Sequence, residues 1–474
     1  MDAAAHEEKL DAFGRFSAAV SDETLAALPP RQQERLLRRA VWQLTWPVIA
    51  EQSLMTLVQI VSMAMVGRLG PEAIAASGLS NYPFMLISST FMGLSVGTTA
   101  LVARFFGAGD RRGAERTLQQ SLLVGAVFGV LVAIAGTVYA KPIIGMMGAA
   151  PDVAALGEQY VRSMAPGLAF MIILTMISAG LRGAGDTRTP MVVNVLVNLA
   201  NVAFGWPLIF GRFGLPSLGI VGAGLAATLA RALGGVLMLG LLVANRLTLY
   251  VSWRRLLAAD FPLLRRLLKV GLPSGAERLI TSFGQLLYVR QVAGLGTIAY
   301  ATHSLGMNIE SLSWMPGIGF STAASTLVGL TLGARRPVIA ERSTIATLRM
   351  AFWVMGLMGF LFFAIPTVFL RIYTDNAQII SIGSTAMKVL GVNQLAQAAA
   401  FVYAGGLRGA GDTRSVLIIT TLGTWGVRLG MTPILLHLGW GLTGAWMAMF
   451  ADQAFRALAS YWVFRRGKWK SVEV

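Results

Sequence analysis

The sequence predicts an all-α membrane protein, with twelve transmembrane helices arranged as two parallel repeats of six. Three observations predict this fold class. The composition is 55% hydrophobic and only 13% charged, with a mean hydropathy of +0.65. Several long stretches contain no Asp, Glu, Lys or Arg. The motif LRGAGDTR occurs twice, and further identities on both sides of it keep the same register.

The composition also excludes several other classes of protein. The 474 residues carry 39 Lys and Arg against 22 Asp and Glu, a net charge of +17. A basic nucleic-acid-binding protein would be richer in polar residues, so no nucleic-acid partner is predicted. The absence of Cys excludes a disulfide scaffold and thiol chemistry. His6, His303 and His437 are too dispersed for a zinc site or a catalytic cluster, and no G-x-x-x-x-G-K-S/T motif is present. We therefore expect neither an enzyme nor a bound cofactor.

The predicted helices follow from the apolar stretches, since a membrane helix needs about 20 mostly apolar residues. The longest stretch without Asp, Glu, Lys or Arg is 73–103. Pro83 and Pro316 predict kinks in the long second and eighth helices. The twelve helices are predicted over 42–66, 74–105, 118–140, 164–182, 190–210, 218–244, 270–294, 298–332, 345–368, 384–406, 416–436 and 441–464.

Basic residues predict the orientation, because cytoplasmic loops carry an excess of Lys and Arg. One set of loops is basic, whereas the alternate loops hold only Arg68, Lys141, Arg162, Arg212 and Arg371. Both termini are therefore expected in the cytoplasm, with the chain in the plasma (inner) membrane and its basic loops against membrane lipids. Residues 1–40 begin with acidic residues and have no apolar run, so they predict a cytoplasmic extension and not a signal peptide.

The repeat defines the domains. LRGAGDTR stands at Leu181–Arg188 and again at Leu407–Arg414. We predict an N-lobe over 41–245, a cytoplasmic linker over 246–266, a C-lobe over 267–464 and a cytoplasmic tail over 465–474. Six helices in each repeat make the repeats parallel. Such a pair of bundles is typical of a transporter that works by alternating access, because a channel would need a ring of subunits or a filter.

The repeated motif is interpreted as a structural turn at a cytoplasmic helix end. A dinucleotide-binding Gly loop would follow a strand and have a different glycine spacing. The glycines Gly183, Gly185, Gly409 and Gly411 allow a tight turn, and Asp186 and Asp412 are expected to cap the next helix. The arginines are expected to pair with these aspartates or with lipid phosphate.

Two matching carboxylates are candidates for ion coupling, since ionisable groups in a membrane segment are costly. Glu51 and Glu277 occupy the same place in the two repeats. Each begins a polar helical stripe, and the stripes supply the candidate substrate-binding residues Gln59, Gln285 and Tyr288. The alternative is local pairing, of Glu277 with Arg278 and of Glu51 near Arg39.

A third carboxylate, Glu310, has no acidic counterpart, because its repeat mate is Phe84. It lies mid-span near Asn308 and Trp314, and an acid beside an aromatic ring suits an organic cation. We predict ion coupling for Glu310 and substrate binding for Asn308 and Trp314; neutralisation of Glu310 by Arg290 is the alternative. Asp452 is expected to form buried pairs with Arg428, Arg231 and Arg456.

The chain resembles the multidrug and toxic compound extrusion (MATE) family, in its prokaryotic branch, over about residues 41–464. The resemblance rests on the doubled LRGAGDTR, VGRLG at Val66–Gly70, FFGAGD at Phe105–Asp110 and PLIFG at Pro207–Gly211. It implies a V-shaped pair of six-helix bundles around a central cleft, and multidrug efflux in exchange for Na⁺ or H⁺. Acids that many relatives carry are replaced here by Ser62 and Gly205, so coupling is expected at Glu51, Glu277 or Glu310.

The resulting prediction is a monomeric, cation-coupled secondary antiporter that exports organic cations, drugs or amphiphilic metabolites. The sequence leaves the coupling ion open, and Na⁺ near Glu277 or Glu310 is the only metal it suggests. A lipid-linked precursor flippase on a related scaffold is the alternative. Such a flippase would need a cleft rich in Arg and Lys to hold pyrophosphate, whereas paired intramembrane acids favour cations.

Overall fold

The computed structural model describes residues 29–147, 150–214, 216–251 and 258–472, which are largely α-helical and contain no β-strand. Residues 1–28 of the predicted N-terminal extension lie outside the described residues, as do Arg254 and Arg255 of the predicted linker.

Within the described ranges, the first repeat forms eight helices. They are α1 (Pro30–Gly67), α2 (Pro71–Gly107), α3 (Arg111–Val138), α4 (Ala140–Gly145), α5 (Pro151–Met164), α6 (Pro166–Gly183), α7 (Arg188–Phe210) and α8 (Gly219–Val243). The helical segment at the predicted fourth span, 164–182, begins earlier than expected. It is divided at Ala165 into α5 and α6. Pro166 explains the break, since a proline has no N–H to continue the helical hydrogen bonds but fits a first turn.

The second repeat contains a π-helical turn that the sequence does not predict. Its helices are α9 (Phe261–Ala293), α10 (Thr297–Gly333), α11 (Pro337–Ala364), α12 (Pro366–Arg371), α13 (Ala377–Gly409), α14 (Thr413–Thr421), α15 (Leu429–His437) and α16 (Gly441–Arg466). The π-helix Leu422–Arg428 joins α14 to α15, and Leu429 N–H donates to the Thr424 carbonyl five residues earlier. The corresponding stretch of the first repeat lies in regular α7.

Eight helices within the described part of the chain are long and apolar enough to cross a membrane. They are α1, α2, α3, α6, α7, α8, α10 and α11. Pro83 and Pro316 lie inside α2 and α10, which continue as helices on both sides of them. Twelve crossings stay a prediction, and the other four predicted spans coincide with helical segments in α9, in α13, in α14 to α15 and in α16.

The chain divides into two compact units. The larger unit takes the chain up to Ile49, Ala103–Gly109 and the chain from Lys269 onward; the smaller takes Ala50–Val102 and Asp110–Leu268. In the larger unit, Leu37 and Leu44 of α1 join a core with Phe320 of α10 and Met355 of α11. Residues 30–40, predicted to lie in a separate extension, therefore form the beginning of α1.

The repeated motif forms the same tight turn in each repeat. Gly185 and Gly411 have φ angles of +89° and +88°, a region that glycine enters without steric cost. Asp186 accepts from the backbone N–H of Thr189 at 2.9 Å, and Asp412 accepts from that of Ser415 at 3.2 Å. Each aspartate thus satisfies a free N–H in the first turn of the next helix.

Residues 465–472 of the predicted C-terminal tail belong to the described residues. Lys468–Ser471 forms a 3₁₀ turn, and the fully buried Trp469 stacks on Phe464 with ring centroids 4.6 Å apart. Trp469 Nε1 also donates to the Phe464 carbonyl at 2.6 Å. The tail therefore packs against its own unit.

Candidate functional site

Glu51 of α1 is bound by an arginine of the repeated motif. Arg182, in the last turn of α6, donates from Nη2 to both carboxylate oxygens of Glu51, at 2.8 and 2.9 Å. Asn194 of α7 donates to Glu51 Oε1 at 3.0 Å. Glu51 is only 7% exposed. Its charge is therefore neutralised inside the smaller unit by a partner far away in sequence.

Glu277 repeats this arrangement in the larger unit. Arg408 of α13 donates from Nη2 to Glu277 Oε1 at 2.5 Å, and Thr420 of α14 donates to the same oxygen at 3.3 Å. Arg408 and Thr420 are the repeat mates of Arg182 and Asn194. The alternative suggested by the sequence was local pairing, of Glu51 near Arg39 and of Glu277 with Arg278. Glu51 and Glu277 pair instead with Arg182 and Arg408. Arg182 and Arg408 were not predicted as the partners of these carboxylates. The available signal was that the glutamate and the arginine recur with the same spacing in both repeats.

Glu310 of α10 has no such partner. It is 2% exposed, and its Oε1 accepts from Gln397 Nε2 at 3.2 Å and from Trp314 Nε1 at 3.4 Å. Its Oε2 is buried without a hydrogen-bond partner. No basic side chain of the described ranges forms an ion pair with Glu310, and this includes Arg290, the predicted partner.

Polar side chains of α13 form hydrogen bonds with the turn of α10 that contains Glu310. Ser313, one turn further along α10, donates to Gln394 Oε1, and Gln394 and Gln397 are both fully buried. Gln397 Oε1 and both amide atoms of Asn393 are buried without a partner. Buried polar atoms are normally hydrogen-bonded, so unpaired oxygens on both Glu310 and its partner Gln397 indicate a functional site. Within the described residues, no group of three or more His, Cys, Asp or Glu could hold a metal ion.

A second charged cluster of the larger unit is centred on Asp452, which is fully buried. Asp452 pairs with Arg428 at 2.7 Å and with Arg456 at 2.6 Å. Arg428 also donates to Gln285 Oε1 at 3.0 Å, and Arg456 donates to Thr424 at 2.6 Å. The π-helix therefore supplies two members of this cluster, Thr424 and Arg428. Arg231, expected to join it, makes no ion pair among the described residues.

The predicted substrate-binding residues have different surroundings. Tyr288 is fully buried, donates to the Ala445 carbonyl at 2.9 Å and lies under the Arg428 guanidinium. Gln285 accepts a hydrogen bond from Arg428. Gln59 and Asn308 are exposed, and Asn308 donates to the carbonyl of Ser304. Trp314 is the member of this set that contacts Glu310, and 36% of its surface is exposed.

The two repeats differ in their buried charges. The repeat mates of Glu310, Arg428, Asp452 and Arg456 are Phe84, Val202, Ala226 and Ala230. The Glu–Arg pairs are common to both repeats, but the unpaired carboxylate and the Asp452 cluster belong to the second repeat alone. We therefore interpret the Glu–Arg pairs as a structural feature of both repeats, and the unpaired carboxylate and the Asp452 cluster as a specialised feature of the second.

Comparison with known proteins identifies the family. The MatE family model matches residues 47–207 and 273–434, one segment in each repeat, and the two segments begin at the repeat mates Pro47 and Pro273. A probable multidrug resistance protein NorM of Thermotoga maritima is 31% identical over 93% of this chain and 95% of its own. The uncharacterized transporter YisQ of Bacillus subtilis is 27% identical over 91% of this chain and 94% of its own.

Solved structures agree with this fold. An outward-facing multidrug resistance MATE family transporter of the MOP superfamily has a TM-score of 0.84 and 24% identity, covering 92% of this chain and 97% of that chain. A MOP superfamily transporter from Pyrococcus furiosus gives the same values. These likenesses concern the fold alone. Together with the family match over both repeats, they show that the chain belongs to the MatE (multidrug and toxic compound extrusion) family and is a multi-pass membrane transporter, not an enzyme.

Proposed function

We propose that this protein is a cation-coupled antiporter that exports organic cations and amphiphilic compounds by alternating access. It would act as a monomer in the plasma (inner) membrane, with both termini in the cytoplasm and its basic loops against lipid. The name of the Thermotoga relative, a probable multidrug resistance protein, supports the substrate class. The alternation of basic and weakly charged loops along the sequence supports the orientation.

We assign coupling to Glu310. The observation that carries this choice is the difference among the three candidate acids: Glu51 and Glu277 are each held by an arginine, whereas Glu310 keeps a buried oxygen without a partner. An arginine within hydrogen-bond distance competes with any incoming cation for its carboxylate. Glu310 is free of that competition, so it can exchange one cation for another.

The contacts favour a proton as the coupling ion. Gln397 already donates its Nε2–H to Glu310 Oε1, and the two remaining atoms, Glu310 Oε2 and Gln397 Oε1, are both buried acceptors without a donor. A proton on Glu310 Oε2 would be donated to Gln397 Oε1, so that neither oxygen is left without a partner. The carboxylic acid and the amide would then be joined by two reciprocal hydrogen bonds. Na⁺ would instead need several oxygen ligands, and Asn393 Oδ1 is the one further oxygen of α13 that is buried without a partner within the described residues.

Exchange follows if substrate and proton compete for Glu310. Trp314 lies one turn from Glu310 on α10, touches its carboxylate and leaves part of its indole exposed. A ring face beside a carboxylate binds an organic cation through its quadrupole and the opposite charge. Protonation removes that charge and releases the cation, so one proton exchanges for one positive charge of substrate.

The test is transport of ethidium, an organic cation, in proteoliposomes containing the full chain. We expect a pH gradient, and not a Na⁺ gradient, to drive export, and Glu310→Gln to abolish the response to the gradient. Glu341→Gln is the matched control, because Glu341 forms a partly exposed pair with Lys470. Gradient-driven export by the Glu310 variant would overturn the assignment, and export driven only by Na⁺ would overturn the choice of the proton.

A further inference from the structure

Arg231 is a partly buried cation for which the described residues provide no counter-charge. It lies in the middle of α8, and its Nη1 is buried without a hydrogen-bond partner. It forms no ion pair within the described ranges, and the ionisable side chain that acts on it is Tyr160 of α5. Glu158, two residues before Tyr160, is bound to Arg162 at 2.8 Å. Glu51, the buried acid of the same unit, is bound to Arg182.

The second repeat shows how this chain neutralises an arginine on the equivalent helix. Arg456 of α16 pairs with Asp452, four residues earlier and one turn away. Four residues before Arg231 stands Ala227, and the repeat mate of Asp452 is Ala226. The last helix of each repeat thus carries a central arginine. Asp452 compensates the charge of Arg456, whereas no acid of the described residues pairs with Arg231.

An uncompensated arginine in a membrane segment is costly and marks a binding site by default. Its planar guanidinium offers parallel N–H donors that match the two oxygens of a carboxylate. Thr228, three residues before Arg231, is already engaged, since it donates to the Ser163 carbonyl at 2.8 Å. The Arg231 guanidinium keeps a donor without a partner at this point of the smaller unit.

We propose that Arg231 binds the carboxylate of an anionic or zwitterionic amphiphile, and that the substrates of this transporter include such compounds. The proposal deepens the export function proposed above and rests on it for the role of the ligand. Binding itself requires no ion gradient, and a comparison of ligands that share one cationic group isolates the contribution of the carboxylate. Failure of proton coupling and failure of carboxylate binding are therefore separate results.

The test compares two dyes that differ in one group. Rhodamine 110 carries a free carboxylate, and rhodamine 123 is its methyl ester. Binding of each dye to the purified full chain in phosphatidylcholine nanodiscs is measured by fluorescence anisotropy. We expect Arg231→Gln to weaken rhodamine 110 about tenfold, the value of a hydrogen-bonded charge pair, and rhodamine 123 less than about twofold. Arg162→Gln is the matched control, because Arg162 is a largely exposed arginine of the same unit.

A second variant keeps Arg231 in place. Ala227→Asp installs the acid that Arg456 has, and it should weaken rhodamine 110 selectively, whereas Ala227→Asn, of the same size without the charge, should not. Equal effects on both dyes, or none, would overturn the proposal. A lipid phosphate is the other source of anionic oxygens. If Arg231→Gln releases bound phosphatidylglycerol while both dyes bind as before, Arg231 is a lipid site and the proposal is wrong.

Discussion

Arg182 donates to both carboxylate oxygens of Glu51, and through this pair the end of α6 is tied to α1. The matching pair of Arg408 and Glu277 ties α13 to α9. Each pair joins the helix that opens a repeat to the motif at the end of the fourth predicted span of that repeat. The repeated LRGAGDTR therefore has two functions in the fold: its aspartate and glycines shape a turn, and its first arginine binds a distant carboxylate.

Substituting one member of such a pair should destabilise the protein by more than the pair contributes. We expect Glu51→Gln and Arg182→Gln each to lower the free energy of unfolding by about 2 kcal/mol, because each leaves a largely buried group without its partner. The double variant should lose less than the sum of the two. A double-mutant cycle in mixed micelles measures the difference, and additive losses would show that the two side chains do not interact.

Asp452 holds two arginines, so its loss should be more severe. Asp452→Asn leaves Arg428 and Arg456 as largely buried, unbalanced cations, and we expect a loss of about 4 kcal/mol. Adding Arg456→Gln to Asp452→Asn should recover part of this loss, since one of the two uncompensated charges is then removed. Thermal unfolding of the purified variants provides the measurement. No recovery in the double variant would mean that the uncompensated charge of Arg456 is not a cause of the loss.

Two glycines of the larger unit should not accept a methyl group. A Cβ on Gly107 would lie 2.6 Å from the carbonyl carbon of Leu330, and a Cβ on Gly333 would lie 2.9 Å from that of Arg104. These positions are repeat mates, and both collisions are with backbone. We expect Gly107→Ala and Gly333→Ala each to cost about 3 kcal/mol.

Gly78 of α2 is the matched control for these glycines, since nothing lies within 4 Å of its added Cβ. Alanine is the better helix former, so Gly78→Ala should leave stability unchanged or raise it by up to about 1 kcal/mol. Unfolding temperatures of the three variants test the contrast. Equal behaviour of all three would show that the helices separate easily at Gly107 and Gly333.

Local features of the fold could be predicted from the sequence. The apolar stretches indicated the helices, because membrane spans depend on composition along a short window. The glycine and aspartate of the repeated motif indicated the turn, because φ preference and helix capping are also local properties. The repeat predicted which residues correspond, as with Glu51 and Glu277.

Contacts between distant residues could not be predicted in the same way. Correspondence between repeats says which residues are equivalent but not which side chains touch, so the pairing of Glu51 with Arg182 was missed. The π-helix was missed because a wide turn is not favoured by its own residues and is maintained by the contacts of Thr424 and Arg428. For Glu310, the sequence identified the acid, but its unpaired oxygen depends on how α10 faces Gln397 of α13.

The different buried charges of the two repeats also constrain how the chain can have diverged since its duplication. Arg428, Asp452 and Arg456 stand where the first repeat has Val202, Ala226 and Ala230. Loss of Asp452 alone leaves two arginines without their acid, whereas loss of one arginine leaves Asp452 paired with the other. The effect of a mutation at one of these sites therefore depends on the other two, and Asp452 should be lost only together with its arginines or after them.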